Sequence, residues 1–256
     1  MKKLTIGAIS ALCAAVAFGD VVSSDVVGYD TFGLRGSGAA IGAGASFLKV
    51  DDSDLTLGDV TITGYGSEYA EFQIQAKQLD GAGRGGTTYY WVDASVDGDE
   101  FYGWYNDDGS VCYNNLKLVP GEGLWIYSPS STYKVQSSGK VPKAPISVTL
   151  RGGGAAKMVS NPMPATLTLG DITVSGYNET EGYADFQVQA KKLDGAGRGG
   201  TTYYWVDAKV DGDTFYGWYN DDGSIDYSDT VEVAPGEGLW IYSPSTNFSV
   251  VFPSPL

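Results

Sequence analysis

Carboxylates and aromatic rings are the side chains of this 256-residue sequence with chemistry to offer. There are 31 Asp and Glu against 16 Lys and Arg, with 18 Tyr, 6 Trp and no His. Without imidazole, Ser-His-Asp and Cys-His catalysis and the common histidine metal sites are excluded. Catalysis would have to run on carboxylates, tyrosine or lysine. A glycoside hydrolase is the form it would take, with Glu122 and Glu237, each in Pro-Gly-Glu-Gly, coupled to Glu71 or Asp185. Nothing in the sequence fixes their separation. A cleft enzyme also rarely keeps two nearly identical sites in modules this small. The reading is therefore of a protein that is not an enzyme.

The acidic turns raise a second chemistry. Asp97-Gly98-Asp99 and Asn106-Asp107-Asp108 recur as Asp211-Gly212-Asp213 and Asn220-Asp221-Asp222. Calcium takes roughly six to eight oxygen ligands, which Asp-rich loops supply. The candidates are Asp97, Asp99, Asp107, Asp211, Asp213 and Asp221. The full Asp-x-Asp-x-Asp-Gly loop with its distal Glu is missing, and the same residues are ordinary turn formers. Turn chemistry is the preferred reading, with no cofactor required.

The rings offer a third. Tyr89, Tyr90, Trp91, Phe101, Tyr102, Trp104, Tyr105, Trp125 and Tyr127 all recur in the second half of the chain. Strands alternate their side chains between two faces. At least one member of Tyr89-Tyr90-Trp91, and one of Trp104-Tyr105, must therefore point outward. Exposed Trp and Tyr suit sugar rings or a protein partner. Tyr102, Trp104 and Tyr105, with Tyr216, Trp218 and Tyr219, are the favoured ligand-binding residues because they lie beside the acidic turns.

What must position these residues is a repeated β module. Residues 69–113 and 183–227 align at a shift of 114, with 38 of 45 positions identical. Leu57-Gly58-Asp59-Val60 matches Leu169-Gly170-Asp171-Ile172, and Pro120-Gly121-Glu122-Gly123 matches Pro235-Gly236-Glu237-Gly238. The small slips between these shifts fall in loops, where indels are tolerated. Phe72, Ile74 and Ala76 alternate with Gln73, Gln75 and Lys77, which predicts a half-buried strand. Residues 87–96 are rich in β-branched and aromatic side chains, a second strand, and the glycine-rich loop between them makes a hairpin. Residues 101–105 form a strand closed by Asn106-Asp107-Asp108-Gly109, and Leu124-Trp125-Ile126-Tyr127 reads as a buried strand. No segment shows helical spacing with caps. The expected fold is all-β: two tandem β-sandwich or small-barrel modules related by internal duplication, over residues 20–139 and 140–256. Gly81-Ala82-Gly83-Arg84-Gly85-Gly86 fits G-x-G-x-x-G, but a strand follows it where a dinucleotide site needs a helix.

A resemblance joins this reading. Ser160-Asn161-Pro162-Met163-Pro164, Leu169-Gly170-Asp171-Ile172 and Ala234-Pro235-Gly236-Glu237-Gly238-Leu239-Trp240-Ile241 resemble a β module of large secreted bacterial surface proteins. Its marks are an Asn-Pro-x-Pro turn early and a Pro-Gly-x-Gly-aromatic strand late. Ser24-Asp25-Val26-Val27-Gly28-Tyr29 resembles short secreted proteins of the Verrucomicrobia–Lentisphaerae group. The resemblance implies an extracellular location and no defined activity. The first module departs from it, with Ala45-Ser46-Phe47-Leu48 in place of the Asn-Pro turn.

Location and partners follow from charge and the N-terminus. Lys2 and Lys3, an apolar run from Leu4 to Phe18 and small residues at Ala17 and Gly19 have the layout of a signal peptide over residues 1–19. No later segment is apolar enough to cross a membrane. The net charge of −15 opposes nucleic acid and anionic lipid. Beyond Cys13 in the leader there is one cysteine, Cys112, which the repeat replaces with Asp226. The expectation is a secreted or cell-surface protein, adhesive or structural, whose partner is a polysaccharide or another surface protein, a second copy of itself included. The alternative is a carbohydrate-binding protein using exposed aromatics.

Overall fold

The structure is a computed structural model. It describes residues 27–36, 39–43, 54–66, 72–78, 86–94, 98, 100–183, 186–192, 200–209, 212 and 214–254. Residues 1–19, where a signal peptide is expected, the glycine-rich tips, Glu71, Asp185, Asp97, Asp99, Asp211, Asp213 and the segment 45–48 lie outside the described residues.

The first half contributes β1 (Val27–Gly33), β2 (Ala39–Ala43), β3 (Thr61–Thr63), β4 (Gln75–Gln78), β5 (Thr88–Asp93), β6 (Tyr102–Tyr105), β7 (Leu124–Ser128) and β8 (Lys134–Lys140). The second contributes β9 (Ile146–Thr149), β10 (Ala156–Ser160), β11 (Leu167–Thr168), β12 (Thr173–Ser175), β13 (Gln189–Lys192), β14 (Thr202–Asp207), β15 (Tyr216–Tyr219), β16 (Glu232–Val233), β17 (Gly238–Tyr242) and β18 (Ser249–Phe252).

One topology appears twice. A five-stranded sheet runs β2-β7-β4-β5-β6 in the first module and β10-β17-β13-β14-β15 in the second. A three-stranded sheet runs β1-β8-β3 and, correspondingly, β9-β18-β12. The small β11-β16 ladder of module two has its counterpart in the isolated bridge Thr56↔Lys117. All the ladders are antiparallel, and none of these sheets closes into a barrel. This arrangement fits the sandwich form of the expectation rather than the barrel.

Burial follows the two-residue period. Strand β7 alternates buried Leu124 and Ile126 with half-buried Trp125 and Tyr127, so it is aliphatic inside and aromatic outside rather than wholly buried. Ile74, Ala76, Tyr89 and Trp91 all enter the core. Trp91 and Trp104 are fully buried and meet edge-to-face at 5.4 Å; Trp205 and Trp218 repeat this pair at the same distance.

Short polar devices close each module. Asp59 Oδ2 accepts bonds from the Thr56 N–H and hydroxyl, and Asp171 does the same for Thr168, capping a single 3-10 turn. Asn161 of the Asn-Pro turn is fully buried and fully used. Its amide donates to the carbonyls of Ala165 and Val233, and its Oδ1 accepts from the Met163 N–H, all at 2.9 Å. That satisfaction is what lets a polar side chain sit in the core.

The modules also bond to one another. Gly123 N–H donates to the Met158 carbonyl at 3.2 Å, and Ser160 N–H to the Gly121 carbonyl at 2.8 Å. The Ser160 hydroxyl donates to the Glu122 carbonyl at 3.1 Å. Beside this short ladder Trp125 packs on Trp240, and both pack against buried Met158.

Candidate functional site: an outer aromatic quartet

The register of β5 and β6 sorts the rings. Trp91 opposes Trp104 and Tyr90 opposes Tyr105. The first pair therefore faces the core and the second faces outward. Phe101 lies on the outer side against Tyr105, ring centroids 5.3 Å apart. Phe72 comes edge-on to Tyr90 at 6.3 Å. The result is an outer quartet of Phe72, Tyr90, Phe101 and Tyr105. Module two builds Phe186, Tyr204, Phe215 and Tyr219, with the matching pairs at 6.5 and 5.3 Å. Phe101 is 42% exposed and Phe215 41%.

The acidic turn beside each quartet is held by its own side chains. Asn106 Oδ1 accepts from the Val111 N–H at 2.9 Å and its amide donates to the Ser110 hydroxyl at 3.0 Å. Asp108 Oδ1 accepts from the Ser110 N–H at 2.9 Å. Asn220, Asp222 and Ser224 repeat the set. These bonds hold the Asp108 and Asp222 carboxyls below the usual carboxylate range, the serine hydroxyl first and its amide second. Gly109 and Gly223 close the turns at φ of 74° and 73°, a region open to glycine. Phe72 and Phe101 both lie over Gly109, which ties the turn to the quartet.

The six residues favoured from the sequence divide between the two faces. Trp104 and Trp218 are core residues, fully buried, each donating its indole N–H at 2.6 Å, to the carbonyl of Val60 and of Ile172 respectively. Neither can present a face to a ligand, which corrects the sequence reading. Tyr105 is half-buried in the outer quartet, while Tyr219 there is only 7% exposed. Tyr102 and Tyr216 are about half exposed, but on the core side, where they close over Trp91 and Trp205 at 5.2 Å. Beside them Tyr65 donates to Asp93 Oδ2 at 2.8 Å and Tyr177 to Asp207 Oδ2 at 3.1 Å. Burial first, then the hydrogen-bonded carboxylate, push the Tyr65 hydroxyl well above the ordinary tyrosine range. Tyr177 moves the same way, with burial the largest cause and Asp207 adding to it. These hydroxyls stay protonated and serve as pins.

The other carboxylates have local employment. Glu122 Oε2 accepts from the Val119 N–H at 3.2 Å and Glu237 Oε2 from the Ala234 N–H at 2.9 Å, so each clasps its own Pro-Gly-Glu-Gly turn. Lys192 adds an ion pair to Glu237 at 3.1 Å. Asp107 and Asp221 are exposed at the turn tips. Among the described residues no three acidic or cysteine side chains gather as a metal site would need.

Two features of the quartet escape the sequence pattern. Phe72 looks like a core residue because it continues the alternation of Ile74 and Ala76. The strand begins only at Gln75, and the turn at residues 72–73 swings the ring to the outer side. Phe186 does the same with φ of 51°, an uncommon conformation for a non-glycine residue. The outer row then continues across the sheet. Gln75 pairs with Tyr90 on one side and Tyr127 on the other, as Gln189 does with Tyr204 and Tyr242. The equal parity of Trp125 and Tyr127 was the available signal. Comparison with family models, with curated proteins and with solved structures finds no match.

Proposed function

We propose that this is an exported, non-enzymatic adhesive protein of a cell surface or extracellular matrix, which holds a neutral polysaccharide on the outer aromatic face of each module. One observation carries the reading: the same four outer rings recur in both modules at matching spacing, with Phe101 and Phe215 left open to solvent. Rings with an apolar face and a polar edge suit the faces of sugar rings. Gln75 and Gln189 stand in the same outer row and supply amide donors and acceptors for hydroxyls. The acidic surface favours an uncharged polymer over an anionic one. The signal-like N-terminus and the resemblance to secreted surface modules support an extracellular setting.

Affinity electrophoresis tests this. The wild-type chain is expected to be slowed in native gels containing hydroxyethyl cellulose or mannan relative to plain gels. The quadruple variant Phe101→Ala, Tyr105→Ala, Phe215→Ala, Tyr219→Ala is expected to run alike in both. A wild-type chain that is never slowed, yet sediments as growing species when concentrated, overturns the polysaccharide reading in favour of self-association.

A further inference from the structure

The junction between the modules has a symmetry that limits what two binding faces can do together. Trp125 and Trp240 are equivalent residues of the repeat, and they touch each other, ring centroids 5.5 Å apart. The surrounding contacts are reciprocal: β10 lies against β7, β17 lies against β2, and β10 lies against its own counterpart β2. A residue meeting its own copy, with neighbours exchanged in matching pairs, is the signature of an isologous, two-fold contact. Head-to-tail stacking would bring unlike surfaces together. The Trp pair, buried Met158 and the short ladder through Gly121, Gly123 and Ser160 hold this arrangement together. The symmetry is approximate: Met158 stands where β2 has Gly42, and among the described residues the ladder from Gly121 and Gly123 to β10 runs from module one to module two alone.

A two-fold axis reverses direction. A straight polymer crossing from one module to the other meets the second quartet running opposite to its course over the first. A polysaccharide has distinct ends, so one straight chain cannot satisfy both faces in the same way. Isologous contacts also close on themselves and do not propagate into filaments. We propose that the protein is a closed, two-headed cross-linker, which joins two separate polysaccharide strands instead of gripping one strand twice. The proposal rests on the polysaccharide reading of the quartets.

The experiment uses the full-length chain and two bead populations coated with hydroxyethyl cellulose or mannan, whichever slows the wild type in gels. The wild type is expected to bind the beads and agglutinate them. Phe101→Ala with Tyr105→Ala, or Phe215→Ala with Tyr219→Ala, is expected to bind with about twofold weaker affinity, because one of two equivalent heads is gone, while agglutination is lost. The pairs Phe101→Leu with Tyr105→Leu, and Phe215→Leu with Tyr219→Leu, keep side-chain bulk and should behave likewise; circular dichroism confirms folding. A loss of affinity of roughly 10²- to 10⁴-fold in either single-face variant, with no agglutination by the wild type, would mean one strand spans both faces and overturns the proposal. Failure of the wild type to bind any coated bead overturns the polysaccharide reading itself.

Discussion

Modules one and two hold the same four outer rings with different polar support. In module one, the Asn114 side chain accepts from the Trp104 N–H at 2.8 Å and donates to the Tyr102 carbonyl at 2.9 Å. In module two, the shorter Ser228 accepts from the Trp218 N–H at 3.0 Å, and Asp226 Oδ1 holds the Ser228 N–H at 2.8 Å. Lys209 stands where module one has Ser95. It pairs with buried Asp207 at 3.0 Å and lies 5.5 Å over the exposed Tyr216 ring. Cys112 beside Tyr105 gives way to Asp226 beside Tyr219. Quartet geometry survives all these exchanges. It is set by strand register and by the buried tryptophans behind it, and the polar residues are interchangeable braces.

The largest test of that difference removes a buried tryptophan. Trp104→Ala or Trp218→Ala is expected to cost about 3–5 kcal/mol, read as a fall in the urea midpoint, because each empties a fully buried site. An effect below about 1 kcal/mol would contradict their place in the core.

The braces come next. Asn114→Ala strips two bonds and Ser228→Ala one, so both are expected to destabilise within about 1–3 kcal/mol, with Asn114→Ala the worse. Equal losses would show that the second bond of Asn114 contributes nothing. The junction offers a contrast of its own. The Trp125 and Trp240 indole nitrogens are buried and have no acceptor among the described residues. Trp240→Phe should therefore be tolerated better than Trp240→Ala, which opens a cavity at the contact. Thermal melts of the two variants separate the effects.

Smaller effects appear with pH. Tyr65 and Tyr177 ionise less readily folded than unfolded. Their contribution is complete below the unfolded tyrosine pKa of about 10 and is lost as pH rises toward the higher folded value. Urea midpoints should fall above about pH 10, and Tyr65→Phe with Tyr177→Phe should flatten the decline. Lys209, raised chiefly by its bond to Asp207, adds a further loss at high pH that Lys209→Ser removes. Asp108 and Asp222 act in the opposite sense. Their contribution is present above the ordinary carboxylate pKa of about 4 and fades as pH falls below it.

Much of the fold was legible in the chain. The alternation of Ile74 and Ala76 and the aromatic run of residues 88–93 mark the hairpin, and Asn106-Asp107-Asp108-Gly109 marks its neighbouring turn. The binding face was less legible. Tyr102, Trp104 and Tyr105 are close in sequence, yet they divide between the exposed margin of the core side, the core itself and the outer face. Composition does not reveal which parity faces in, and only pairing with β5 decides it. Phe72 misled because alternation stops at a turn the sequence does not announce. The junction was invisible, since it depends on Trp125 meeting its own copy more than one hundred residues away.

The outer quartets can be tested directly by hydroxyl-radical footprinting of the wild-type chain with and without the soluble polysaccharide that slows it in gels. The expected result is protection of Phe101 and Tyr105 together with Phe215, while Tyr102 and Tyr216 on the core side keep their reactivity. Protection confined to Tyr102 and Tyr216, with the outer rings unchanged, would contradict the account.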